Sequence, residues 1–229
     1  MKNNWTAHIL GICESTQNEA ENFPAFHYVL AKQQTNGRGR NRRVWQSIPG
    51  NLFVTFNLPL TDKAPLYGFM ASLAVAQTLA FLSPRIKWPN DVLVDGKKIA
   101  GILLEVRPDK ILLGLGLNIT QAPKQNMLYE TTCLNDYHAA IAPEELAKRV
   151  LENLDALYQV LIKQGFRPIL QAWLEFSVGL GQQITVNLPN EKICGIFSQL
   201  DESGALVLKT EDGQTRTITA GDVFLKAKE

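Results

Sequence analysis

VLVDGKKIAGILLEVRPDKILLGLGLNI, residues 92–119, is the stretch on which the fold turns. Val92–Val94 and Lys98–Val106 flank Asp95-Gly96, a dipeptide suited to the tight turn of a hairpin. Lys98–Val106 and Ile111–Ile119 then flank Pro108-Asp109, a second turn signal. Short apolar runs bounded by turns read as strands. Strands joined by such short connections run antiparallel. The middle of the chain is therefore expected to be sheet.

Working outward toward the N-terminus, Leu52–Leu58 and Phe26–Ala31 are rich in β-formers and read as strands. Ile86–Trp88 is extended, because Pro89 disfavours helix just before it. Residues 65–82 suit a buried helix, with Pro65 at its start and Ala71, Ala74 and Ala76 along it. Ser15 is placed to cap a short helix running to Glu21. Toward the C-terminus, residues 120–136 have no clear period, contain Pro123 and read as a mobile segment. Pro143 opens a helix with Leu146, Val150, Leu154, Leu157, Tyr158 and Leu161 on one face, and Gly165 ends it. A second helix spans roughly 167–177. From Gly179 the texture changes to short strands: Gln183–Leu188, Ile193–Leu200, Ala205–Lys209, Thr215–Thr219 and Val223–Leu225. They suggest a small, partly closed barrel. The expected class is α+β: a central mixed or antiparallel sheet with flanking helices over 1–178, then a small β-barrel domain over 179–229.

The 229 residues are 45% hydrophobic and 20% charged, enough to bury a sizeable core. A formal net charge of +1 gives no global attraction for nucleic acid or membrane, so any basic function must be local. Cys13, Cys133 and Cys194 are far apart, no Cys-x-x-Cys occurs, and His8, His27 and His138 are scattered; no metal ligands are expected. There is no signal-peptide core and no apolar run of membrane-spanning length, so a cytoplasmic location is the expectation.

Three features stand out chemically. Gly37-Arg38-Gly39-Arg40-Asn41-Arg42-Arg43-Val44-Trp45 crowds four arginines into one loop. Guanidinium groups hold phosphate or carboxylate in a forked manner, and glycines let backbone approach a ligand closely. A merely solvated basic loop, or a nucleic-acid contact, would look the same in isolation. Lys87-Trp88-Pro89-Asn90-Asp91 is followed by Asp95-Gly96-Lys97-Lys98 and the apolar run to Glu105. A lysine at the start of a buried strand can present its charge into a cleft, although Lys97 and Lys98 also suit an exposed turn. Gly114-Leu115-Gly116-Leu117-Asn118 lacks the third glycine of the dinucleotide fingerprint, with Ile119 in its place. Alternating glycines in a strand imply something packed closely on one face, either another strand or a flat ligand. No Walker A sequence is present.

Taken in order, these motifs resemble the biotin–protein ligases over nearly the whole chain. That family carries Ser-Thr, then a Gln…Gly-Arg-Gly-Arg loop ending in Trp, then Lys-Trp-Pro-Asn-Asp, Lys-x-Ala-Gly-Ile-Leu-x-Glu and Gly-x-Gly-x-Asn. Here they are Ser15-Thr16, Gln34 to Arg40 with Trp45, Lys87 to Asp91, Lys98 to Glu105, and Gly114 to Asn118. The resemblance implies ATP-dependent formation of biotinyl-5'-AMP and transfer of biotin to a lysine of a biotin carboxyl carrier domain, with Mg2+ assisting. It implies an SH3-like form for the C-terminal barrel. It places Ser15, Thr16, Gln17 and Gln34 on biotin, with Arg38, Gly39 and Arg40 in a loop closing over biotin and the adenylate. Lys98 would reach the biotin carboxylate and phosphate, and Lys98 and Arg40 would be the catalytic pair. Arg38, Arg40, Arg43, Trp45, Lys87, Asn90, Asn118 and Lys226 would face the nucleotide, and 120–132 would fold over adenine.

The chain departs from the pattern at Gln17 for Asn, Asn36 for a small residue, Arg42 for Gly and Lys226 for Arg. Only fourteen residues precede Ser15, so a DNA-binding domain and repressor function are not expected. A monomer or weak homodimer without DNA or membrane partners completes the expectation. The nearest rivals are a lipoate–protein ligase or octanoyl transferase and, from another class, a nucleic-acid-binding module built on the arginine loop.

Overall fold

The computed structural model describes residues 3–124, 127 and 129–225. The elements in chain order are β1 (Thr6–Cys13), α1 (Thr16–Ala20), β2 (His27–Gln34), β3 (Leu52–Pro59), α2 (Tyr67–Thr78), β4 (Arg85–Lys87), β5 (Asp91–Val94), β6 (Lys97–Val106), β7 (Lys110–Leu117), α3 (Pro143–Gln164) and α4 (Arg167–Phe176). Then follow β8 (Gln183–Asn187), β9 (Lys192–Leu200), β10 (Leu206–Lys209), β11 (Thr215–Ile218) and β12 (Asp222–Leu225).

The quoted stretch folds as read. β5 and β6 form a hairpin through Asp95 and Gly96, both at positive φ (49° and 75°), the conformation that a tight primed turn requires. β6 and β7 form the next, closed where the Arg107 amide donates to the Lys110 carbonyl. The large sheet has seven strands in the order β1-β2-β3-β7-β6-β5-β4. All neighbours are antiparallel except β1 and β2, so the sheet is mixed. β1 is the element that the sequence reading passed over. It is an edge strand with most of its side chains in water, including Ile9 (56% exposed) and Ile12 (68%). No buried alternation marks it in the sequence. β2 also runs on to Gln34, three residues beyond the expected end.

Leucine and valine side chains alternate to one face of β3 and β7, where α2 and α3 cover them. α2 is buried nearly all round, from Tyr67 to Ala76, which accounts for its small residues. All six apolar residues expected to line one face of α3 are buried, and Gly165 caps it at φ 77°. The opposite face of the large sheet holds only a small cluster of Ala20, Val29 and Leu112 under α1. That face is left open beside α1, and the cleft described below lies there.

β8–β12 form a five-stranded antiparallel sheet in the order β11-β10-β9-β8-β12. Its apolar residues join the main core. The Trp88 indole donates to the Gly204 carbonyl at 3.0 Å. Ile86 bridges Ser177, and Arg85 reaches the Ser177 carbonyl. The buried Trp88 bond ties the second sheet to the segment after β4, and the Ser177 contacts tie the chain leading into it to β4. No helix among the described residues is long and apolar enough to cross a membrane.

Candidate active site

The site begins with a bare strip of sheet. Side chains alternate along a strand, so Gly114 and Gly116 face the same side of β7, and Gly101 of β6 pairs with Gly116. A Cβ on Gly116 would lie 2.2 Å from the Trp45 ring, and one on Gly101 would lie 3.0 Å from both Trp45 and Lys98. A Cβ on Gly114 would crowd the Gln17 carboxamide at 3.2 Å. The flat group that the alternating glycines admit is thus the chain's own Trp45 indole. A cavity of about 690 Å³ opens over this strip, a size suited to a small-molecule ligand.

One end of the cavity is polar but uncharged. Ser15 caps α1, its hydroxyl accepting from the Gln17 amide at 3.3 Å. The Thr16 amide and hydroxyl both donate to Gln34 Oε1 (2.9 and 3.1 Å), and Thr55 donates to the Thr16 hydroxyl. Gln34 Nε2 donates in turn to Ser47. Gln17 Nε2 donates to the Leu103 carbonyl at 3.2 Å, while its Oε1 is buried with no protein partner. Arg38 Nε and Trp45 Nε1 are likewise buried and unpartnered. Buried polar atoms left so are costly, and a ligand offering matched groups would relieve that cost.

The other end is cationic. Lys98 Nζ lies 2.7 Å from Asp91, and Lys87 Nζ lies 3.7 Å from the same carboxylate. The arginine loop is a small hairpin: Arg38 bridges Val44, and the Trp45 amide donates to the Gly37 carbonyl. Its tip, Arg40–Arg42, is a tight turn with Asn41 and Arg42 at φ 55° and 58°. Left-handed backbone favours glycine, so the departure Arg42 for Gly falls where glycine would be the easier residue. The hairpin lies over the cavity, with Arg40 donating to Asn90 Oδ1 (3.0 Å), Arg43 gripping Asp222, and Arg38 3.5 Å from Glu105. Arg43 holds the Asp222 carboxyl below the usual carboxylate range.

Ser15, Thr16, Gln17, Gln34, Arg38, Gly39, Arg40, Arg43, Trp45, Asn90 and Lys98 all line the cavity, so the structure brings together most of the residues singled out in the sequence. Asn118 lines a smaller recess behind Trp45, with Pro123 and Met127. Lys87 is on neither wall; its ammonium sits 3.0 Å from the centre of the Tyr129 ring. Lys226 lies outside the described residues. Asp222 and Gln46 on the wall had gone unremarked, and Met127 and Tyr129 were marked only as part of the 120–132 segment expected over adenine. Asp222 arrives from a remote segment with no motif to flag it. Asp91 stood within a quoted motif but had been given no role. Burial is the main cause pushing the Lys87 ammonium down to about 8, with Asp91 partly opposing it, and burial raises the Tyr129 phenol.

Residues 13–120 match the biotin/lipoate A/B protein ligase family, and residues 179–226 match the biotin protein ligase C-terminal domain. The biotin–[acetyl-CoA-carboxylase] ligase of Mycobacterium tuberculosis is 34% identical over 208 residues, covering 85% of this chain and 77% of that protein. The enzyme of the same name from Paracoccus denitrificans is 33% identical over 215 residues, covering 86% and 89%. This chain belongs to the biotin protein ligase family. The biotin protein ligase of Aquifex aeolicus, solved with biotin and ATP, superimposes with a TM-score of 0.85 at 25% identity, over 97% of this chain and 99% of that one. The family's mixed α+β architecture with a C-terminal antiparallel sheet is the one found here.

Two outcomes follow from the glycine strip and the buried lysine. Gly116→Val puts methyl groups where the Trp45 ring lies, so the arginine hairpin is expected to lift away. Trypsin cleavage within residues 38–43 should then accelerate by about tenfold or more, the effect of roughly 1.4 kcal/mol on loop opening; unchanged cleavage would refute the packing. Between about pH 8 and the ordinary lysine value of 10.5, the unfolded chain holds a proton on residue 87 that the folded chain has released. Stability therefore rises with pH across that window. Relative to Lys87→Met, the parent should gain on the order of 2 kcal/mol between pH 7.5 and 10, read from urea midpoints at the two pH values. Parallel profiles would show that the ammonium is not buried.

Proposed function

We propose that the chain activates biotin with ATP, forming biotinyl-5'-AMP and pyrophosphate, and then transfers biotin to a lysine of a biotin carboxyl carrier domain. The observation that carries this reading is the polarity of the cavity. An uncharged cluster of hydrogen-bonding side chains stands at one end, a cationic cluster at the other, and bare glycine strands lie between. Biotin has that form: a cyclic urea, an apolar body and a carboxylate.

In this reading Ser15, Thr16, Gln17 and Gln34 receive the urea. Their hydroxyls and carboxamides both donate and accept, matching its carbonyl and two N–H groups. A dithiolane or a plain alkyl chain, as a lipoate or octanoyl enzyme would hold, offers nothing to the buried Gln17 Oε1, and a buried polar group left unmatched discriminates strongly. Trp45 and Arg38 cover the ring.

The carboxylate then reaches Lys98. A carboxylate oxygen attacks the α-phosphorus of ATP, the bond to the pyrophosphate oxygen breaks, and pyrophosphate leaves. Both reactants are anions. Lys98 and Arg40 offset that repulsion and stabilise the charge building on the phosphoryl oxygens. Asp91 and Asn90 hold these two cations at the cleft until substrate arrives. Arg43, Asn118 and the recess beside Met127 serve the nucleotide. Mg2+ would arrive with ATP on its phosphate oxygens. Asp91 and Asp222 are already paired with cations, and no group of three metal-ligating side chains occurs among the described residues. Closure of the hairpin excludes water from the mixed anhydride. In the second step the carrier's lysine nitrogen attacks the biotinyl carbonyl carbon, AMP departs, and the amine loses its proton. The enzyme works in the cytoplasm as a monomer or weak homodimer, without DNA or a membrane as partner. The C-terminal unit, residues 179–229, acts as a domain of its own.

Lys98→Ala removes the cation that meets the developing charge. Biotin-dependent exchange of labelled pyrophosphate into ATP should fall about a hundredfold, equivalent to roughly 3 kcal/mol, with the melting temperature little changed. Exchange at the parental rate in the folded variant would remove Lys98 from the reaction. Absence of biotin-dependent exchange in the parent would overturn the function.

A further inference from the structure

Strand β12 touches both segments that cover the cleft. Asp222 and Phe224 are two residues apart, so they project to the same face of the strand, while Val223 between them is buried in the sheet. Asp222 accepts both terminal nitrogens of Arg43, at 3.2 and 2.5 Å, in the forked geometry of the strongest charge-assisted pairs. Arg43 stands beside the tip of the arginine hairpin. Phe224 packs against Tyr129, ring centres 5.2 Å apart. Tyr129 begins a stretch laid along β6: the Lys98 amide donates to the Glu130 carbonyl, and the Thr132 amide donates to the Lys98 carbonyl. One strand from the second sheet therefore holds the hairpin on one side and the 129–132 stretch on the other.

The strand itself is well anchored. It pairs with β8 along its length. Its sheet is fixed to the first by the buried Trp88–Gly204 hydrogen bond and by Gly204 packed against Phe69 and Leu66. A cover loop that must open and close gains a defined closed position only from a partner that stays put. The hairpin's other contacts, from its arginines to Asn90 and Glu105 and from Trp45 to the glycine floor, are to the elements that carry the substrate-binding groups. Arg40 in particular must exchange its partner for substrate. Arg43 and Asp222 can stay paired while that exchange takes place.

We propose that β12 is a clasp: Asp222 and Phe224 hold the arginine hairpin and the 129–132 stretch closed together, so that the C-terminal sheet governs retention of the activated intermediate. This rests on the adenylate-forming reading above. Asp222 and Phe224 are positioning residues, acting through Arg43 and Tyr129. An exposed ion pair is weak alone and is screened by salt, but here it is backed by a ring contact on the same strand. Loosening either side frees a cover over a reactive mixed anhydride.

The test loads the full-length protein with biotin and ATP, removes free nucleotide by rapid gel filtration, and follows loss of bound biotinyl-adenylate. Biotin labelling of serum albumin added as a bystander is scored in parallel. Asp222→Asn, nearly the same shape without the charge, should release the adenylate about tenfold faster and label the bystander correspondingly more, while biotin-dependent pyrophosphate exchange persists. Raising the salt concentration should hasten release from the parent but hardly alter Asp222→Asn, because the pair that salt screens is already gone. A merely structural role would not produce that difference. Phe224→Leu gives a second arm, with faster release that remains salt-sensitive. If Asp222→Asn holds the adenylate as long as the parent does, or keeps the parent's salt response, the clasp is wrong although the function stands. If the parent shows no biotin-dependent exchange, it is the functional reading that fails.

Discussion

Arg38, Arg40, Arg43 and Lys98 converge on one cleft, and their mutual repulsion is what the surrounding structure must contain. Each is given a partner that is not itself a substrate. Arg38 faces Glu105, Arg40 binds Asn90, Arg43 grips Asp222, and Lys98 lies against Asp91. These partners come from β6, from the turn before β5, from β5 itself and from β12. The charge requirement of the site therefore reaches into much of the large sheet and into the second one. Cations arranged beforehand around a cleft stabilise a developing anion without the cost of reorganising at the moment of reaction.

The glycine strip is the steric counterpart of this electrostatic arrangement. Leu52, Val54 and Phe56 of β3 and Leu113, Leu115 and Leu117 of β7 belong to the core beneath α2 and α3. The alternate positions, Gly114 and Gly116, leave the opposite face bare. That face admits the Trp45 indole and the Gln17 carboxamide. One strand thus carries core leucines on one side and the floor of the site on the other, and period-two alternation lets both requirements be met at once.

Much of this was legible in the sequence because it is local. Asp95-Gly96 announces a hairpin wherever the chain lies, and the apolar stripe from Leu146 to Leu161 announces a helix facing a core. The alternating glycines announced close packing but not its agent, since Trp45 reaches them only through the path of the arginine hairpin. What escaped notice depends on contacts between distant segments. β1 is an edge strand whose side chains are mostly in water, so burial imposes no pattern on it. Asp222 looks like an ordinary surface acid until the second sheet brings it to Arg43. Residues 120–136 looked structureless, yet 129–132 lie along β6 by backbone hydrogen bonds, which do not depend on side-chain identity. Lys87, taken for a wall residue, is packed beneath Tyr129 instead.

On the proposed reading, the uncharged polar end and the cationic end joined by a bare floor receive a biotinyl group already joined to AMP. The most direct measurement incubates the protein with biotin and ATP in the absence of any acceptor. It then desalts the mixture rapidly and identifies the bound nucleotide by mass spectrometry. The account predicts biotinyl-adenylate in an amount comparable to the protein, and no corresponding adduct when lipoate replaces biotin. Recovery of no biotin-containing nucleotide, or of a lipoyl adduct in equal amount, would contradict it.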